Sequence, residues 1–163
     1  MTYKDFKEIF VKEYEEYTLL YEIVKRKQEA IINNDIEQLA DILREEQSVI
    51  ENIEELEEAR QAVLNKLAEE KKEERDKPLS FAGLMELVPA EKEELEQLRG
   101  QFLQLLDKLQ EINNENRDLI EDSLKITEAS LEFIREATGR TNLYSNRNDE
   151  TGVQTDHIID KRV

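Results

Sequence analysis

The side chains that most often carry catalysis are scarce in this sequence. It holds one histidine, His157, and no cysteine. Hydrolytic or group-transfer chemistry needs a nucleophile beside a base, a metal cage or a backbone cradle for phosphate, and none of those spacings occurs. A lone histidine in a polar stretch reads as a solvated surface residue. The 40 acidic side chains raise the question of metal binding. A carboxylate-bridged metal pair in a helical bundle takes Glu-x-x-His on two helices, and no helical segment here contains a histidine. A calcium loop needs closely spaced aspartates and a glycine, which are also missing. The glutamates instead alternate with lysines, as on solvated helix faces. The sequence therefore predicts no catalytic residue, no cofactor-binding residue, no metal ligand and no enzyme activity.

Composition points the same way. The chain has 163 residues, of which 38% are hydrophobic and 39% charged, with only 4 Gly and 2 Pro. That bias toward Ala, Glu, Lys, Leu and Arg belongs to long helices. A formal charge of −17 repels nucleic acid phosphates and anionic lipid alike, so neither is an expected partner. The start of the sequence, Met1 to Lys7, mixes charge signs and leads into no continuous apolar run. It predicts no signal peptide and no direct membrane insertion, and hence a cytoplasmic protein.

The elements are legible from their periodicity. Phe6, Phe10, Tyr17, Leu20, Val24 and Ile31 follow steps of three and four, interrupted by Glu13 and Lys27. Asn33-Asn34 ends this helix, and Asp35 with Gln38 resembles a capping box for the next. The second ladder runs from Leu39 to Leu67, with Glu46 and Arg60 as its charged members. Lys77-Pro78 stops it, and Ser80 caps a short helix whose Phe81, Leu84 and Leu87 are expected to plug the end of a helical hairpin. Pro89 opens a third ladder that includes Leu95, Phe102, Leu109, Asn116, Ile126 and Phe133 and is expected to stop at Gly139.

The predicted fold is all-α: an elongated antiparallel bundle of three long helices, a short connecting helix and a disordered C-terminal tail. The helices lie at about 2–32, 36–75, 80–87 and 90–138, so residues 1–138 form the bundle and 139–163 a flexible tail. At about 1.5 Å per residue the third long helix outruns the other two. It also carries a second apolar stripe, Leu103, Leu106, Ile120, Leu124, Leu131 and Ile134. A helix apolar on two faces must bury both or expose one, and past Leu119 the exposed alternative is expected, as a seat for an amphipathic helix or a second copy of the chain. Asn116, Ser123 and Ser130 in the first stripe read as register devices.

The order of these features resembles the FlgN family of flagellar export chaperones over essentially the whole chain. The features are the Asn33-Asn34-Asp35 turn, Leu56-Glu57-Glu58-Ala59-Arg60 in the second helix and the Leu79-Ser80-Phe81-Ala82-Gly83-Leu84 connector. Asn113-Asn114-Glu115-Asn116-Arg117-Asp118-Leu119-Ile120 follows in the third, and then a tail with Tyr144, Gly152 and Ile158-Ile159-Asp160-Lys161. The resemblance implies a chaperone without enzyme activity or cofactor that holds hook-associated junction proteins export-ready and delivers them to the flagellar type III export apparatus. It also implies partner binding through Leu119, Ile120, Leu124, Leu131 and Ile134, and docking at the export gate through Tyr144. The competing reading is a homo-oligomeric coiled-coil scaffold or adaptor; the chaperone reading itself allows a weak homodimer.

Overall fold

The computed structural model describes residues 2–71 and 79–145, with side chains as far as Gly139. Helix α1 spans Tyr3–Ile32, α2 Ile36–Glu70, α3 Phe81–Leu87 and α4 Lys92–Ser145, the last entered through a 3-10 turn at Pro89–Glu91. The fold is all-α, with no strand among the described residues. It divides into two compact units, Met1–Glu121 and Asp122–Val163.

The caps lie where short polar side chains permit them. Thr2 N–H donates to the Asp5 carboxylate at 2.6 Å, closing the first turn of α1. At the α1–α2 corner Asn34 takes φ 54°, a left-handed conformation that asparagine tolerates better than most residues. Asp35 then accepts from the Gln38 N–H at 3.0 Å, and Ser80 Oγ accepts from Gly83 N–H at 3.1 Å to start α3.

Cross-helix pairs give the chain directions in the first unit. Between α1 and α2, Glu13 meets Arg60 and Lys27 meets Glu46, so as one helix ascends the other descends. Between α1 and α4, Tyr3 meets Glu94 and Val24 meets Asn116, so these two ascend together. The result is an up-down-up bundle of three helices.

Its interior is apolar in two blocks. One gathers Phe6, Phe10, Leu64, Leu84, Leu95 and Phe102; the other gathers Leu20, Ile23, Ile42, Val49, Leu109 and Ile112. Phe81 of α3 lies 5.9 Å from Phe6 and 5.3 Å from Phe10 between ring centres, and Leu84 is fully buried. The connector thus packs as the expected plug.

Between the blocks lies a polar waist that periodicity alone does not disclose. The charged residues that interrupt the ladders pair across the hairpin: Arg60 Nε donates to Glu13 at 2.7 Å at this waist, and Lys27 Nζ donates to Glu46 at 2.6 Å within the second block. The position numbers of both pairs add to the same total, as one antiparallel register requires. Helix α4 departs from the expectation at its far end. It runs through Gly139 to Ser145. A glycine ends a helix by turning left-handed, and Gly139 has no positive φ. Left in helical conformation it costs only about 1 kcal/mol, which neighbouring turns can absorb.

Candidate partner-docking surface

The residues singled out as partner contacts all belong to α4 but divide between the two units. In the first unit Leu119 is half-buried and Ile120 is 43% exposed. In the second, Leu124, Leu131 and Ile134 are 57%, 50% and 58% exposed. Their offsets of seven and three residues put the latter three on one helical face. The Tyr144 side chain lies outside the described residues, as do His157 and the run to Val163.

Two exposed apolar side chains were not singled out. Ile126 and Phe133 belong to the ladder expected to pack, yet they are 68% and 73% exposed. Every described residue from Asp122 to Gly139 is exposed, so the period that lines a core in the first unit lines none in the second. The signal was present in Ser123 and Ser130, which put small hydroxyl residues where a packed seam needs bulk. Leu103, in the second stripe but within the first unit, is also exposed, while Leu106 packs against the aromatic block.

Chemically, the face of the second unit is simpler than its sequence implies. Thr127 Oγ1 donates to Ser123 O at 2.9 Å, Ser130 Oγ to Ile126 O at 2.8 Å, and Thr138 Oγ1 to Ile134 O. Hydroxyls bonded back to their own helix need no partner and leave their carbon surface outward. Narrow side chains thus run between Leu124 and Leu131 on one side and Ile126 and Phe133 on the other. Fully burying a large apolar side chain contributes about 1.5–3 kcal/mol, so covering these half-exposed groups would give several kcal/mol together. The charged side chains there, as in Lys125 to Asp122 at 3.9 Å and Arg135 to Glu132 at 3.8 Å, form exposed pairs of little energetic weight.

Titratable groups in the first unit serve packing. Burial pushes the Glu13 carboxyl above its ordinary range, against the opposing pull of Arg60. Burial, then the hydrogen bond to Glu57 at 2.9 Å, raises the Tyr17 hydroxyl. Tyr3 is pushed up to about 12 by burial and by Glu94. No group of three or more potential metal ligands clusters among the described residues, and none of their helices is long and apolar enough to cross a membrane. An extended apolar face beside tied-back hydroxyls can bind a protein segment; nothing in it positions a reacting atom.

A family model described as FlgN protein matches residues 1–151. The chain belongs to the FlgN family. That match takes in both ladders of the hairpin, the connector and the whole of α4, so the FlgN assignment covers all the elements described above. FlgN proteins are flagellar export chaperones, a family of binding proteins and not of enzymes. No curated protein and no solved structure matches the chain.

Proposed function

We propose that this FlgN-family chain works in the cytoplasm, where it binds hook-associated junction proteins, prevents their premature assembly and delivers them to the flagellar type III export apparatus. The observation that carries the reading is the apolar face of the second unit, Leu124, Leu131 and Ile134 with Ile126 and Phe133, all half or more exposed. Junction proteins that polymerise through amphipathic helices would be held monomeric if those helices lay on such a face. Binding of this kind works by mass action, and a moderate affinity allows release without nucleotide or cofactor. Leu119 and Ile120 supply the contacts from the first unit. Tyr144 is proposed as the contact with the export gate, and Tyr144→Ala is expected to reduce gate binding while leaving cargo binding intact.

The test is calorimetric titration of a purified junction protein into the full chain and into Leu124→Asp with Leu131→Asp. Binding should fall by about 100-fold or more, since each substitution puts a charge where an apolar contact forms. Helix content by circular dichroism should stay near wild type. Undiminished binding by the variant rejects the site. No binding by the full chain, with a tight homo-oligomer in light scattering, would favour the scaffold reading.

A further inference from the structure

In the first unit a cleft of about 300 Å³ has Leu39, Leu43 and Ile120 as apolar walls, with Lys27, Asn113, Asn116, Arg117 and Glu121 completing its lining. Asn116 is 3% exposed. Its Nδ2 donates to Val24 O at 3.2 Å, which leaves Oδ1 as the acceptor, and no protein donor reaches that oxygen. A buried acceptor without a partner is costly, and replacing the residue by an apolar one would relieve the cost. A donor brought from outside would relieve it too once the amide turns toward the cleft it lines, since the oxygen itself is closed off from solvent.

The walls indicate what brings that donor. Leu43 and Ile120 are nearly half exposed, so a small molecule in the cleft would remain wet, whereas small-molecule sites bury most of their ligand. A macromolecule laid across the opening covers the walls as well. The net charge of −17 opposes both nucleic acid and a second copy of this chain. Lys27 is committed to Glu46 at 2.6 Å, and the formal charges of Arg117 and Glu121 offset each other, so the lining offers no net negative charge to a buried cation.

We infer that this cleft seats one turn of an amphipathic helix from a partner protein of neutral or positive charge. The helix inserts an aliphatic side chain between Leu39, Leu43 and Ile120 and gives Asn116 Oδ1 an uncharged donor, a side-chain amide or hydroxyl. Resting on the chaperone reading, this makes Asn116 a selector for the polar residue beside the anchor and recruits α2 as well as α4 to docking.

Two measurements on the full chain test it. In methyl- and amide-detected NMR, isovaleramide, which joins an isobutyl body to an amide donor, should shift Leu39, Leu43, Ile120 and the Asn116 side-chain amide. Methyl isovalerate, of similar shape but without a donor, should shift them far less. Equal shifts, or none, overturn the site. In calorimetry with the junction protein, Asn116→Leu should weaken binding about tenfold while its melting temperature holds or rises. Leu43→Asp, at a half-exposed position, should weaken it at least as much while helix content by circular dichroism stays near wild type. Wild-type affinity in both variants overturns the docking role. If wild type binds no junction protein, the chaperone reading fails with its named partner, and the fragment shifts alone decide the cleft.

Discussion

Helix α4 keeps one apolar period through both units, and the two units treat it oppositely. In the first, Leu95, Phe102, Leu105, Leu109 and Ile112 are all buried. In the second, Ile126 and Phe133 are open. The difference lies partly in residue type, since Ser123 and Ser130 thin the second stretch, and partly in the surroundings, since Ile126 and Phe133 are as apolar as the residues buried in the first. Periodicity reports which face of a helix is able to be buried; whether it is buried depends on a facing element. An apolar face without one is where a chain has binding free energy left to use.

The contrast can be broken most directly by cutting side chains on each side. Leu64→Ala, in the aromatic block, should cost about 3 kcal/mol in urea denaturation, because the closely packed site closes only partly over the void. Leu131→Ala should stay within about 0.5 kcal/mol of wild type, as exposed substitutions do. A comparable loss at Leu131 would mean the second unit has a core of its own.

Next in size is the waist. Glu13→Ala strands Arg60, whose side chain keeps 25% of its exposure, and roughly 2 kcal/mol should be lost, below the usual figure for a fully buried pair. Glu13→Leu with Arg60→Leu should recover that loss in the same denaturation assay. Smaller still are the glycines. A Cβ at Gly100 or at Gly139 meets nothing within 4 Å, so alanine fits both and favours helix by about 1 kcal/mol. Gly100→Ala should raise the melting temperature, whereas Gly139→Ala should raise helix content by circular dichroism and leave the melt unmoved.

The subtlest effect is alkaline. Tyr17 has its pKa raised in the fold, so its contribution is fully present below the ordinary tyrosine value near 10 and is lost as pH rises past it. Melts taken at pH 8 and pH 11 should converge in Tyr17→Phe relative to wild type.

Much of this was legible beforehand. The Asn33-Asn34-Asp35 corner, the Ser80 cap and the three ladders specify element order, because capping and period are local properties. Glu13 and Arg60 were visible only as interruptions; recognising them as a pair needs the hairpin register, which emerges when two helices meet. Asn116 was read as a register device, and its bond to Val24 fits that role. Its unpartnered oxygen belongs to a three-helix environment that no single ladder encodes. Gly139 misled because a stop signal acts through backbone conformation, which residue type biases without dictating.

The two charged clasps of the hairpin have a consequence for synthesis. Their members are 47 and 19 residues apart in the chain, and all four precede Lys92. A nascent chain therefore has both clasps clear of the ribosome before α4 begins to emerge. Were the hairpin to close one heptad out of step, Glu13 would face Ile53 or Leu67 and Lys27 would face Leu39 or Ile53, leaving charges against apolar side chains. That mismatch is costly, so the charged pairs favour the correct register before α4 leaves the ribosome.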